Sequence, residues 1–288
     1  MRASGNGVPQ FDPIIRKALE EDRVRHDVTT QRLIGPLEVS SARIVVKEKA
    51  VVCGLAVVRQ VFAELDKNVR CDFRCSDGKE VKRNTTVVVV KGKTRALLSG
   101  ERTALNFLGY LSGIATNTRR YVRAVLPYKV VILDTRKTTP TLRELEKYAV
   151  RCGGAENHRS NLEDMILVKD NHRWACRRRS VAQMVKRLRK GTTKVIEFEV
   201  DTLAQFEQVL AAGVDIILLD NMNCVQMKKA VTLRNKNGKW RRPLLEASGG
   251  ITLKNIEQVA RTGVDRISVG ALTHSRRSID VSMEFIEE

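Results

Sequence analysis

From Lys129 onward the chain alternates short, almost continuous apolar runs with amphipathic stretches. The runs are KVVILDT, MILVKDN, KVIEFEV, DIILLDN, LLEASGG and RISVGAL, and between them lie segments with helical spacing such as VAQMVKRLRK and LAQFEQVLAA. Run starts recur every twenty to thirty-odd residues, roughly the length of a strand, a crossover helix and two short loops. This pattern predicts a parallel α/β unit, and six strands rather than eight make it an incomplete (β/α) barrel. The first part of the chain is less regular. Asp12 and Pro13 read as the N-cap and first position of a helix carrying Ile14, Ile15, Ala18 and Leu19 on one side. ARIVVKEKAVV and TTVVVVKG read as strands and ERTALNFLGYL as a helix. The expected organisation is therefore an N-terminal α/β domain over residues 1–113 and the barrel over 114–275, with a C-terminal helix near 276–288 packing back on the first domain.

Nearly every apolar run of the barrel ends in functional groups: Asp134 to Lys137, Lys169 to His172, Glu199, Asp220, and Ser248 to Gly250. Barrel active sites are built at those strand ends. A convergent polar mouth, and hence an enzyme, is expected on this ground alone. Its cations are Arg136 and Lys137 in DTRKTTP, His158 and Arg159 in ENHR, and Lys169 and His172 in VKDNH. Several fixed positive groups around one mouth call for a ligand with several negative charges, each charge-assisted hydrogen bond contributing roughly 1.5–3 kcal/mol.

Acids are scarce there. Glu199 and Asp220 close consecutive strands, and Glu197 shares the face of Glu199 through the two-residue alternation of a strand. Two readings stay open for the pair: a Mg2+ site completed by substrate phosphates and water, or internal pairing with the nearby cations. Ser248, Gly249 and Gly250 stand between a strand and a helix expected to begin near Thr252, and Gly270 repeats the arrangement one strand later. Glycine turns at adjacent strand ends suit a phosphate.

Composition narrows the picture. The 288 residues carry 52 Lys and Arg against 33 Asp and Glu, a formal charge of +19. That excess points to an anionic partner without choosing between nucleic acid, a membrane surface and charged small substrates. Arg173 to Lys194 and Lys228 to Arg242 are basic and contain no acid, so two solvated basic surfaces are expected. Six scattered cysteines show neither a zinc spacing nor a disulfide framework. With neither an apolar leader at the N-terminus nor an apolar run of membrane-spanning length, a cytoplasmic protein is expected. Walker A, dinucleotide and nucleophile-elbow motifs are missing, so covalent catalysis is not indicated.

Taken in order, ERTALNFLGYLSGIAT, LDTRKTTPTLRELEKYAV, GGAENHRSNL, ILVKDNH, EFEVDTL, IILLDNM, EASGGI and SVGALTHS resemble the quinolinate phosphoribosyltransferase family. The DVTT segment at Asp27 to Thr30 and the helix near Phe11 extend the resemblance over nearly the whole chain. It implies an N-terminal α/β sandwich domain before the incomplete barrel, magnesium dependence, and a homodimer with sites between subunits, with hexamers as a further assembly. It also implies residue roles. Arg102 would reach the neighbouring subunit's quinolinate; Arg136, His158, Arg159 and Lys169 would take its two carboxylates; Lys137 and Lys169 would contact phosphoribosyl pyrophosphate. Glu199 and Asp220 would hold the Mg2+ and ribose. Ser248, Gly249, Gly250, Gly270 and Ala271 would hold the 5′-phosphate, with His274 nearby. Lys137, Lys169, Glu199 and Asp220 form the expected catalytic set. Two departures concern loop geometry: His26 and Ala155 stand where the family often has glycine.

The expected reaction joins quinolinate to phosphoribosyl pyrophosphate and releases pyrophosphate and carbon dioxide. One rival is a same-fold transferase taking another heterocycle, like those associated with molybdenum transport genes; the set of cations suited to two carboxylates argues against it. The other is a nucleic-acid-binding protein using the basic faces, supported by charge alone and with few aromatics for stacking.

Overall fold

The computed structural model describes residues 12–237 and 242–287. Phe11 and part of the second basic stretch, residues 238–241, lie outside them. The elements run α1 (Asp12–Glu21), α2 (Val28–Leu33), β1 (Val39–Val46), β2 (Ala50–Val51), α3 (Leu55–Leu65), β3 (Arg70–Phe73), β4 (Glu80–Val81), β5 (Thr85–Lys93) and α4 (Thr94–Ala124). Next come β6 (Val131–Leu133), α5 (Arg143–Gly153), β7 (Ile166–Val168), α6 (Asp170–Ala175), α7 (Val181–Arg189), β8 (Ile196–Val200), α8 (Leu203–Ala212) and β9 (Ile216–Asp220). The chain closes with α9 (Cys224–Lys236), β10 (Leu244–Ser248), α10 (Ile256–Ala260), β11 (Arg266–Ser268), α11 (Ala271–His274) and β12 (Val281–Ile286). Two compact units result. The first takes residues up to Arg119, Thr138–Gly154 and Leu272 onward; the second takes Arg120–Lys137 and Ala155–Ala271.

In the first unit a sheet of order β12-β1-β5-β3 is antiparallel throughout. β1 lies inside it because Ala42, Ile44, Val45 and Val46 are all buried. Its neighbour β12 corrects the expectation of a C-terminal helix. Val281, Met283 and Phe285 alternate with Ser282 and Glu284, a period of two that fits a strand. Glu284 sits opposite Arg43 and bridges to Arg43 at 2.9 Å and Lys47 at 2.5 Å, pairs that a helix would not align. These cations hold its carboxyl down at about 2. ERTALNFLGYL is the middle of the much longer α4.

Asp27 caps α2, accepting from the Thr30 backbone N–H at 3.0 Å and from the Ser99 hydroxyl at 2.9 Å, and the Thr30 contacts lower its pKa. His26 closes a 3-10 turn and Ala155 is buried, and neither takes a left-handed backbone, so the backbone at the two departures does not require glycine. All six cysteines are free. Cys53 and Cys152 lie beside Asp77, whose oxygens already accept from the backbone of Gly54 and Leu55 and from the Tyr148 hydroxyl.

The second unit carries a six-stranded sheet, β6-β11-β10-β9-β8-β7, in which every pairing is parallel. The six apolar runs read from the sequence are these six strands, and they form the incomplete (β/α) barrel. VAQMVKRLRK and LAQFEQVLAA supply α7 and α8. Two expectations change. The helix expected near Thr252 becomes regular only at Ile256, after a turn in which the Asn255 side chain accepts from the Thr252 N–H at 2.8 Å and donates to the Gly250 carbonyl at 2.9 Å. The basic stretches are also not wholly solvated: Arg234 is 2% exposed and bridges to Asp265 at 2.6 Å.

The tail that leads into β12 is fixed on α4, where the Ile279 N–H donates to the Gly109 carbonyl at 2.9 Å. One turn on, a side chain at Gly113 would run into the Arg277 carbonyl. Gly113→Ala should therefore cost about 1–3 kcal/mol, seen as a thermal midpoint lower by several degrees. An unchanged midpoint would show that the tail yields at no cost.

Candidate active site

All six barrel strands deliver polar residues at their C-terminal ends. β6 runs into Asp134, Thr135, Arg136 and Lys137, and the Thr135 hydroxyl accepts from the Lys137 N–H at 3.1 Å. Residue 156 bridges in parallel to Leu133, so the Asn157–His158–Arg159 segment lies alongside this turn. Asp134 is fully buried, and its two oxygens accept from the Asn157 amide at 2.6 Å and the His158 N–H at 2.8 Å. Arg159 is held below the usual guanidinium range, first by burial and then by the neighbouring charge of Arg136. Two guanidinium groups thus lie close enough to repel, an arrangement that an anion between them relieves.

Beneath the cations lies buried acid. Glu197 from β8 and Glu246 from β10 are both 0% exposed. The imidazole of His158 meets both through Nε2, at 2.9 Å from Glu197 and 3.4 Å from Glu246. Its Nδ1 accepts the Arg159 N–H at 2.7 Å, so Nε2 carries the proton in this arrangement. Arg266 from β11 approaches Glu246 at 3.3 Å. Burial pushes both carboxyls up to about 7, Glu197 against the pull of Arg266, Arg159 and Lys169, and Glu246 with the added repulsion of Glu197. His158 therefore sits in the expected segment, but both ring nitrogens face protein groups. The carboxylate role implied for it would require the ring to turn.

Lys169 follows β7 and reaches Glu199 at 3.4 Å, and the Asp170 N–H points at the same carboxylate at 3.5 Å. The internal ion pair weighed for Glu199 is thus formed. Asp220 accepts from the Asn221 amide at 2.7 Å. Asn221 takes a left-handed φ of 53° and donates its N–H to the Ser248 carbonyl at 2.9 Å, tying the ends of β9 and β10 together. A side chain at Gly249 would strike Asn221, and at φ 88° the position is strained for any other residue. Gly250, at φ 61°, has open space where a side chain would stand. Gly270 and Ala271 end the neighbouring strand at the start of α11. Glu199 and Asp220 offer hard oxygen donors on adjacent strand ends, which fits a Mg2+ that keeps most of its waters.

Arg102 and His274 belong to the first unit, Arg102 exposed on α4 and His274 bonded to Ser275 at 2.7 Å. Asp134 is legible in the sequence as the first of the strand-end groups Asp134 to Lys137 but without a role of its own, and Glu246, Arg266 and Asn221 were not among the candidates. Glu246 had a signal, as an acid inside the apolar run LLEAS. Asn221 had none, because its role depends on a backbone conformation. The run Arg177–Arg179 is exposed, with Arg177 stacked on Trp174 at 4.7 Å, and nothing in the structure ties it to the site.

Comparisons with known proteins agree with this architecture. Residues 27–112 match the N-terminal domain of quinolinate phosphoribosyl transferase, and residues 114–284 match its C-terminal domain. The nicotinate-nucleotide pyrophosphorylase [carboxylating] of Mycobacterium leprae is 41% identical over 276 residues, 94% of this chain and 95% of that protein. Quinolinate phosphoribosyltransferase [decarboxylating] 1 of Nicotiana glauca is 36% identical, covering 97% of this chain and 84% of that protein. The crystal structure of NadC from Streptococcus pyogenes superposes with a TM-score of 0.91 at 39% identity, covering 99% of this chain and 100% of that one. With both domain models matched in order and such identity over nearly its full length, the chain belongs to the quinolinate phosphoribosyltransferase family.

Proposed function

We propose that the cations and acids at these strand ends carry out the reaction of the family: quinolinate and phosphoribosyl pyrophosphate give nicotinate mononucleotide, pyrophosphate and carbon dioxide. The chain is a decarboxylating pentosyltransferase of de novo NAD biosynthesis. The observation that carries the residue roles is the mutual repulsion of Arg136 and Arg159 at the strand ends, beside the buried Glu197, a cluster suited to a small dianion.

Arg136, Arg159 and Lys169 bind the two quinolinate carboxylates, and His158 holds Arg159 beneath them. Lys137 and Lys169 stabilise the charge of the departing pyrophosphate. Glu199 and Asp220 hold Mg2+, which neutralises pyrophosphate charge when bound, and Asp220 also meets the ribose. Ser248, Gly249, Gly250, Gly270 and Ala271 offer backbone donors to the 5′-phosphate, with His274 approaching it. The pyridine nitrogen attacks the oxocarbenium-like ribosyl carbon as pyrophosphate leaves. The resulting pyridinium accommodates the electron pair of the breaking C–CO2 bond and the ring carbon left behind takes a proton from water, so decarboxylation needs orientation more than a base. Positioning and electrostatics supply most of the acceleration. Lys169, paired with Glu199 at 3.4 Å, exchanges that partner for substrate during the cycle. The protein works as a cytoplasmic homodimer in which Arg102 enters the neighbouring subunit's pocket.

The deciding assay supplies both substrates with Mg2+, uses nicotinate as an alternative acceptor and follows carbon dioxide. Nicotinate mononucleotide is expected from quinolinate alone; no product from folded protein would refute the reading. Arg136→Ala should raise the quinolinate KM by tenfold or more with folding intact, and near-wild-type affinity would remove its role. Mixing Arg102→Ala with Arg136→Ala protein should restore roughly a quarter of wild-type activity, because half of the dimers then hold one intact site. No recovery after subunit exchange would place Arg102 in its own subunit's site.

A pH dependence also follows. The folded-state pKa of Glu246 is raised, from 4.5 to about 7, so the folded protein binds a proton that the unfolded chain releases. This contribution to stability is complete below about pH 4.5 and is lost as pH rises through 7. For the coupled pair it is of order 3 kcal/mol for one shared proton. The thermal midpoint should fall between pH 5 and 8, and Glu246→Gln should flatten the fall. Equal slopes in the two proteins would show that the group stays ionised.

A further inference from the structure

We infer that Asp134 is a positioning residue for this reaction: its buried carboxylate holds the Asn157–His158–Arg159 segment in register with the Arg136–Lys137 turn and thereby sets quinolinate affinity. The inference rests on the assignment of Arg136 and Arg159 to the quinolinate carboxylates.

Asp134 stands where the two loops that supply those guanidiniums meet. On its own strand, Arg136 and Lys137 follow it within three residues. Across the strand edge it accepts the Asn157 amide at 2.6 Å and the His158 N–H at 2.8 Å. From there the connection continues one residue further, because His158 Nδ1 accepts the Arg159 N–H at 2.7 Å. The Arg159 side chain is steadied in turn by the Met165 carbonyl at 3.3 Å. Backbone bonds run along the same edge, from the Glu156 N–H to the Ile132 carbonyl at 2.9 Å and from the Asp134 N–H to the Glu156 carbonyl at 3.3 Å. One carboxylate therefore ties the segment that carries Arg159 to the strand end from which Arg136 and Lys137 follow.

The physical need is clear from the charges. Arg136 and Arg159 repel each other before a ligand arrives, and repulsion would splay their loops. A carboxylate at 0% exposure is costly unless fully hydrogen-bonded, so Asp134 binds the segment strongly or not at all. A pocket held at the spacing of two carboxylates binds without the cost of ordering it.

The test is a reciprocal swap. In Asp134→Asn the amide oxygen can still face the His158 N–H, but its NH2 then meets the Asn157 NH2, donor against donor. In the double variant Asp134→Asn/Asn157→Asp, the amide introduced at position 134 donates to the carboxylate introduced at position 157, and both bonds return. Asp134→Asn should raise the quinolinate KM about tenfold while kcat and the phosphoribosyl pyrophosphate KM stay within about threefold. The swap should bring the quinolinate KM back to within about threefold of wild type. An unchanged quinolinate KM in folded Asp134→Asn, an equal loss toward both substrates, or a swap as impaired as the single variant would each overturn the inference. Should Asp134→Asn fail to fold, Asn157→Ala reads the same bond from its other end: a raised quinolinate KM supports the role and an unchanged one removes it. Arg136→Ala is measured alongside. An unchanged quinolinate KM there would overturn the pocket assignment itself, and the inference with it.

Discussion

Three carboxyl groups, those of Asp134, Glu197 and Glu246, are wholly buried in the second unit, and the arrangement of the site follows from what that burial demands. An isolated buried charge costs several kcal/mol, so each must be protonated, paired or saturated with donors. Asp134 has one side-chain amide and one backbone N–H among its donors. Glu197 and Glu246 share one imidazole, with Arg266 beside Glu246, and retain protons to unusually high pH. The cations above are thus oriented from below before any substrate arrives. That preorganisation lets electrostatics act on a reacting ligand without rearranging the protein.

The same arrangement accounts for what sequence reading reached. Strands of the second unit were legible because a parallel strand covered on both sides is apolar throughout, and its polar end is then conspicuous. Arg136, Lys169, Glu199 and Asp220 could be placed at strand ends for that reason. The roles of Asp134 and Glu246 were hidden although their positions were not: an acid inside or at the end of an apolar run stands out, but what it does depends on which distant residue donates to it. Asn221 was hidden more deeply, since its contribution is a positive φ that brings Gly249 against it.

In the first unit, the reading of a C-terminal helix near 276–288 failed at Val281–Ile286 for a related reason. A six-residue stretch after a turn carries a weak period of its own, and its state is decided by the open edge of β1 and by Arg43 and Lys47 waiting there. Long-range pairing overrode local preference. The basic stretches show the converse: Arg234 and Arg189 look like surface charge in the sequence, yet each has an acidic partner, Asp265 and Asp215, far along the chain.

The pairing of β12 with β1 also bears on how the protein is made. β1, β3 and β5 leave the ribosome together, but β12, which covers the remaining edge of β1, follows them only after the whole second unit has been made. At ordinary translation rates the nascent chain carries that bare edge for on the order of ten to forty seconds. An unpaired strand edge of this kind invites pairing with neighbouring chains on the same polysome. The polar and basic residues of β1, Ser40, Ser41 and Arg43, make that edge a poor partner for a second copy of itself during the wait.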